Sequence, residues 1–274
     1  MFLRCGRFSL PLARPLVMGV LNVTPDSFYD GGKFADRDAA VVHARRMAAE
    51  GADIVDVGAE STRPGAGAIS EEEELRRLIP VIEAVVDLPV PVSVDTRRVR
   101  VMRAVLAAGA SMINDVQALQ SPGALETVAA SDCAVCLMHM RGDPATMQRD
   151  PQYADVVAEV RDFLARRVAD CERAGIRRDR IAIDPGFGFG KTLAHNLELL
   201  RRLTELAPQG IPLLVGLSRK SMLGAITGEP ARDRLAPSIA AALLAAQHGA
   251  KILRVHDVRE TRDALSVWEA LRKP

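Results

Sequence analysis

The 274-residue sequence has little cysteine, and none of it forms a framework: Cys5, Cys133, Cys136 and Cys171 are too few and too scattered to staple a chain of this length. Cys133 and Cys136 make a C-x-x-C, yet a redox pair wants its first cysteine at a helix N-terminus. Here the pair falls on the apolar run 134–138, which reads as a buried strand with alternating faces, so both thiols are expected to be structural. No second ligand pair stands at finger spacing, which sets zinc aside. An excess of one charge is missing too. Thirty-six Lys+Arg against 35 Asp+Glu leave no general basic field for nucleic acid or an anionic membrane, so any anion has to be bound locally. Long apolar runs are also lacking. Arg4, Arg7 and Arg14 interrupt the amino-terminal apolar residues, leaving neither a signal-peptide core nor a spanning helix of roughly 20 residues. The expectation is a cytoplasmic protein that binds neither nucleic acid nor membrane.

What is present is a globular balance, 48% hydrophobic and 26% charged, able to bury a sizeable core. The length exceeds one ordinary domain but suits an eight-stranded β/α barrel, typically roughly 250 residues. Short apolar runs recur at 17–23, 53–57, 90–94, 111–113, 134–138, 181–183, 213–217 and 251–255. Between them, segments such as 38–50, 71–87, 98–108, 153–174, 193–206 and 238–248 carry apolar residues at three-to-four spacing and read as helices. Gly51, Gly109, Gly175 and Gly249 follow such segments, where a left-handed C-terminal position favours glycine. Eight alternations of strand and helix imply parallel pairing with right-handed crossovers.

An open doubly wound sheet would hold its ligand at one switch point. The chemistry-bearing residues here are spread differently, at or just past nearly every strand candidate: Asn22, Glu60 with Thr62 and Arg63, Asp95, Asn114, His139, Asp184, Ser218 with Lys220, and Arg254 with His256. A barrel brings all of them to one rim. The expected fold is therefore α/β, a single (β/α)8 TIM barrel over residues 1–274, with parallel strands and the ligand site at the C-terminal rim.

The strand-end strings suggest what that rim handles. The stretch 22–32 is too long and glycine-rich for an ordinary barrel turn and reads as a lid. Within it, Asn22 offers a neutral oxygen for a hard cation such as Mg²⁺, or an amide for a phosphate; alternatively Asn22 and Thr24 cap a turn. Arg63 carries a planar fork suited to a pyrophosphate, or is a solvated charge beside Pro64. Asp95, Asn114 and Asp184 directly follow Val94, Ile113 and Ile183. So placed, they read the donor edge of a nitrogen heterocycle, or cap the helices that follow. The string 184–192 ends in Gly-Lys-Thr, but a P-loop needs glycine where Pro185 stands, and the glycine spacing fails the dinucleotide pattern as well. Those glycines instead permit close approach to a flat ligand beside Phe187 or Phe189. Lys220 suits phosphate binding after the seventh strand, or a desolvated Schiff-base role. Arg254 and His256 share one strand face, able to stack on a ring and grip an anion.

Taken in order, these strings resemble the dihydropteroate synthase family from about Leu16 to Leu265. The blocks are NVTPDSF at 22–28, ESTRPG at 60–65, SVDT at 93–96, INDV at 113–116, LMHM at 137–140, DPGFGFGKT at 184–192 with His195 and Asn196, and GLSRK at 216–220 followed by RVHDV at 254–258. The resemblance implies a transferase that joins a pterin pyrophosphate to p-aminobenzoate. It places Asp95, Asn114, Met138, Asp184, Phe189, Lys220 and Arg254 around the pterin. Asn22, Arg63 and His256 would bind pyrophosphate, Asn22 also holding Mg²⁺, while Phe28, Thr62, Pro64 and Ser218 frame p-aminobenzoate. Catalysis would rest on Asp95, Lys220, Arg254, His256 and Arg63, and family members are usually homodimers. Tyr29, Ala59 and Arg141 depart from the family's wording, and Tyr29 bears on affinity for p-aminobenzoate and its sulfonamide mimics. A methyltetrahydrofolate-dependent methyltransferase would share Asp95, Asn114 and Asp184 but needs no pyrophosphate grip. A catalytically silent pterin-binding paralogue is the other alternative.

Overall fold

The chain begins with an antiparallel hairpin, β1 (Phe2–Cys5) and β2 (Phe8–Pro11), that the sequence reading leaves unassigned. The computed structural model describes residues 1–23, 32–60, 69–143, 146–228 and 233–272. Among the described residues, eight parallel strands follow the hairpin: β3 (Leu16–Asn22), β4 (Ile54–Gly58), β5 (Val92–Asp95), β6 (Met112–Asp115), β7 (Ala134–Met138), β8 (Ile181–Asp184), β9 (Leu214–Val215) and β10 (Ile252–Val255). Each pairs with its sequence neighbour, and β10 returns to pair with β3, so Arg254 lies opposite Met18. Between β8 and β9 the ladder thins to one bridge, Ile183 to Leu213, where the Ile183 N–H donates to the Pro212 carbonyl at 3.1 Å. That bridge closes the ring, and the barrel architecture agrees with the expectation.

The helices are α1 (Gly32–Ala49), α2 (Glu71–Val85), α3 (Val99–Ala107), α4 (Ala124–Ala129), α5 (Val156–Arg173), α6 (Leu193–Arg201), α7 (Ser221–Thr227), α8 (Leu235–Gln247) and α9 (Val258–Ala270). Their starts are written in the sequence. Ser70 accepts from the Glu73 N–H at 3.1 Å ahead of four glutamates that face the positive end of the α2 dipole. Asp155 caps α5 through the N–H groups of Val157 and Ala158, and Thr192 with His195 forms a capping box on α6. The glycines expected at helix ends, Gly51, Gly109, Gly175 and Gly249, all take positive φ.

Period two along each strand divides the core. Outward residues such as Val55, Val57, Ile113, Val135 and Ile183 pack under the helices in one large cluster. Inward residues Leu16, Met18, Ile54, Met112, Ala134, Leu214 and Ile252 form a second cluster, and the hairpin adds Leu3, Cys5 and Leu12 to it from below. The hairpin is thus the stopper of the amino-terminal mouth. All four cysteines are free and buried.

Candidate active site

Two residues further along the same inward rows, the barrel changes character. Ile54 gives way to Asp56, Met112 to Asn114, Ala182 to Asp184 and Ile252 to Arg254. Asp95 and Asp184 are the last residues of their strands and Asn114 is the last but one, so strand geometry, with no loop intervening, aims them at the carboxyl mouth. In register, Asn22 lies opposite Gly58, Gly58 opposite Asp95, and Asp95 opposite Asn114. A Cβ at Gly58 would sit 3.4 Å from that of Asp95, so glycine keeps room for the carboxylate.

Arg254 connects the rows. Its Nε donates to Asp56 Oδ2 at 2.7 Å and its Nη2 to Asp95 Oδ2 at 2.9 Å. Asn114 Nδ2 donates to the same Asp56 oxygen at 3.2 Å. On the other side Asp184 Oδ1 accepts from the Gly186 N–H at 2.7 Å. Lys220 Nζ donates to the Phe187 carbonyl and lies 4.5 Å from the centre of the Phe189 ring. Met138, buried, stands beside Asp184 in the ladder.

Burial dominates the electrostatics. It pushes Asp95 up to about 7, with Arg254 opposing and the like charges of Asp56, Asp115 and Glu74 assisting. Asp184 is also raised by burial, against the pull of Lys220 and the Gly186 N–H. Burial lowers Lys220 to about 8, with Asp184 resisting. For Arg254 burial works against the charge, but Asp56 and Asp95 outweigh it and hold the guanidinium protonated. The site therefore holds one carboxyl group, Asp95, and one amine, Lys220, whose charges change near neutrality.

Ser218 and His256 form a neighbouring pair. Ser218 Oγ accepts the His256 backbone N–H at 3.2 Å and lies 3.0 Å from Nδ1. When the hydroxyl donates to Nδ1, Nε2 keeps its hydrogen and can donate to an anion. Arg219, with φ of 58°, is tied to Asp257 and to Ser238 Oγ, which fixes the loop that carries Lys220.

The loop after β8 is the floor. Gly186 has φ of 69°, and a Cβ there would fall 1.9 Å from the His139 carbonyl oxygen; at Gly190 the clash with the Arg141 carbonyl would be 2.3 Å. No other residue type fits either place. Buried Lys191 laces this loop to the end of β7: its Nζ lies 2.9 Å from His139 Nδ1 and donates to the carbonyls of Gly186 and Phe189, both at 3.0 Å. Burial and then Lys191 hold His139 down to about 2, so the imidazole is a neutral acceptor.

Of the residues expected at the site, the structure brings Asp95, Asn114, Asp184, Lys220 and Arg254 together in one cluster, with Ser218 and His256 forming the pair beside it. Asn22 is half-buried at the end of β3. Phe28, Thr62, Arg63 and Pro64 lie outside the described residues, as does Tyr29. Glu60 is engaged elsewhere, accepting from Arg98 at 2.8 Å in a network with buried Glu74. Arg141 stacks over Tyr153 at 4.0 Å and pairs with Glu159, which accounts for an arginine there. The reading misses Asp56 and Lys191. A charged residue inside the apolar run 53–57 is the available signal for the first, and the second stands in the 184–192 string without a role of its own.

Among the described residues no group of three or more His, Cys, Asp or Glu is arranged to hold a metal. Asn22 supplies one neutral oxygen at the mouth. A single amide oxygen of this kind fits a hard cation that keeps most of its coordination as water and other oxygens.

A polar cluster at the carboxyl mouth of a β/α barrel, with Arg254 set against Asp56 and Asp95 and Lys220 beside Asp184, is where an enzyme of this fold keeps its chemistry. Residues 18–256 match the family model for pterin binding enzymes, and the chain belongs to that family. It is 52% identical over 263 residues to the dihydropteroate synthase of Escherichia coli K12, covering 96% of this chain and 93% of that protein. The structure of Xanthomonas albilineans dihydropteroate synthase with 4-aminobenzoic acid superposes with a TM-score of 0.93 at 55% identity, over 100% of this chain and 98% of that one. Burkholderia cenocepacia dihydropteroate synthase complexed with 7,8-dihydropteroate gives a TM-score of 0.90 at 51% identity, over 99% of this chain and 96% of that one.

Proposed function

We propose that this chain is a dihydropteroate synthase, which joins 6-hydroxymethyl-7,8-dihydropterin pyrophosphate to p-aminobenzoate and releases pyrophosphate, acting as one domain. The observation that carries it is the facing arrangement of Asp95, Asn114 and Asp184 against Lys220 and Arg254. In this reading the C–O bond to pyrophosphate breaks first and the leaving group takes the electron pair. The exocyclic carbon becomes cationic, the amine lone pair forms the new C–N bond, and the nitrogen gives up a proton.

Each sign of developing charge meets a partner. Asp95 is the anion nearest the ring, and Asn114 and Asp184 accept or donate at its polar edge. Lys220 faces the ring carbonyl and nitrogen, Arg254 covers its face, and Met138 and Phe189 line the slot. His256, oriented by Ser218, joins Arg63 and Asn22 at the pyrophosphate. The resemblance assigns Phe28, Thr62 and Pro64, together with Ser218, to the amine. Asn22 would help hold Mg²⁺ that comes with the pyrophosphate, and that ion would supply charge neutralisation for the leaving group.

A homodimer is the assembly we favour, since α7, α8 and α9 carry the exposed apolar residues Ile226, Leu244 and Val267, and Leu271 follows at the end of α9. The cytoplasm is the compartment we favour. No described helix is long and apolar enough to cross a membrane. The test of the reaction is pyrophosphate release from the pterin pyrophosphate with Mg²⁺, with and without p-aminobenzoate. Release that requires the amine supports the synthase. Binding of the pterin with no release supports the silent paralogue.

A further inference from the structure

Asp56 is a buried carboxylate to which the transfer chemistry gives no part. It lies inside β4 with no exposed surface, directly across from Ser93 of β5. A single oxygen, Oδ2, takes both of its hydrogen bonds, from Arg254 Nε of β10 and Asn114 Nδ2 of β6. Among the described residues the other oxygen, Oδ1, has no hydrogen-bond partner, and neither does the Ser93 hydroxyl. A carboxylate placed for stability alone would have both oxygens satisfied, because a buried charge is costly and a well-packed apolar residue in its place is often no worse for folding. What Asp56 does have is a hand on two residues that face the ring.

The geometry of Arg254 adds the second observation. Its guanidinium spans two carboxylates, with Nε on buried Asp56 and Nη2 on Asp95 at the mouth. Of these two contacts only the outer one lies where a bound ring arrives. We propose that Asp56 is a positioning residue: its Oδ2 fixes the Arg254 guanidinium and the Asn114 amide relative to each other, so that Arg254 can exchange Asp95 for a bound pterin without losing its anchor. This rests on the dihydropteroate synthase reading above. Asp56 touches neither substrate; it acts through Arg254 and Asn114.

The same placement gives Asp56 an effect on Asp95 that mere packing would lack. Among the described residues the charged groups facing Asp95 are Arg254 from β10, Asp56 from β4, Asp115 from β6, Glu74 from α2 and Lys220 from the loop after β9. Removing the charge of Asp56 takes away one like charge and leaves Arg254 more fully to Asp95. Both changes favour the ionised form, so Asp95 then loses its proton at lower pH.

The test is Asp56→Asn in the full-length enzyme, which keeps shape and removes charge. Expected is a loss of roughly 10- to 100-fold in kcat/KM for the pterin pyrophosphate, the scale seen when a supporting partner of a ligating side chain is removed. KM for p-aminobenzoate should stay unchanged, and the acid limb of the kcat/KM profile should move to lower pH. An unshifted limb, or equal losses for both substrates, would overturn the proposal. If wild type shows no amine-dependent release, the reaction reading fails instead; an active wild type beside an unaltered Asp56→Asn sinks only the role of Asp56. Should Asp56→Asn not fold, nitrogen NMR of the wild type decides, with the Arg254 resonance identified by its loss in Arg254→Lys. An Nε–H signal protected from exchange both before and after pterin is added supports the anchor, and one that exchanges freely in either state overturns it.

Discussion

Two layers of the barrel interior, one period apart on the same strands, differ in almost every property that matters. The lower layer, built from Met18, Ile54, Met112 and Ile252 with the hairpin residues Leu3 and Leu12, is apolar and sealed. The upper layer, built from Asp56, Asp95, Asn114, Asp184 and Arg254, is charged, cross-linked and open at the rim. The contrast teaches that backbone geometry is shared between the two while stability and chemistry are assigned to different rows. Substitutions in one row should therefore leave the property of the other nearly intact.

The largest expected effect is in the upper layer. Asp95→Asn should cut turnover by roughly a hundredfold or more, in line with about 2.7–4 kcal/mol for one lost transition-state contact. Its thermal midpoint should match wild type. Steady-state pyrophosphate release alongside a melting curve checks both halves, and near-normal turnover would contradict the assigned role. In the lower layer, Ile252→Ala should lose about 2–5 kcal/mol of unfolding free energy, read from urea denaturation. The kcat of its folded fraction should hold, and a kcat that falls with stability would mean that the layers are coupled.

The pH profile sharpens the division further. Asp95 ionises near 7 and Lys220 gives up its proton near 8 in the free enzyme. Hence kcat/KM for the pterin pyrophosphate should rise as pH passes through about 7 and fall above about 8. Those limbs belong to the interacting cluster as a whole. A lower-layer variant such as Ile252→Ala should show the same limbs at reduced stability. The smallest effect is a control outside the barrel. Removing the α5 cap with Asp155→Ala should cost about 1 kcal/mol of stability and leave kcat/KM unchanged, which calorimetry and the release assay would verify.

Much of this division could be read from the chain beforehand. The eight apolar runs gave the strands, and the polar residues at their ends gave the mouth, because strand periodicity and burial are local signals. Bounds shifted by a residue or two, and with consequence: Asp95, Asn114 and Asp184 are parts of strands, where the sequence placed them just beyond. The hairpin escaped because its two strands are only four residues long, and Arg4 within the first and Arg7 in the turn interrupt the apolar residues. Helices α4 and α7 are too short to display a period. In α9, Val258, Thr261 and Leu265 do show one that the reading passed over. Asp56 was hidden for a different reason, since its partner Arg254 is 198 residues away and only closure of the barrel joins them. Lys191 is held largely by backbone carbonyls, which no side-chain pattern announces.

A barrel stoppered by its own amino-terminal hairpin is a blind shaft. Anything that reaches the layer of Asp95 and Asn114 has to enter by the carboxyl mouth and come back by the same route. Whatever rests at the rim then acts as a cork for whatever lies beneath it, so depth alone imposes a queue on arrivals and departures.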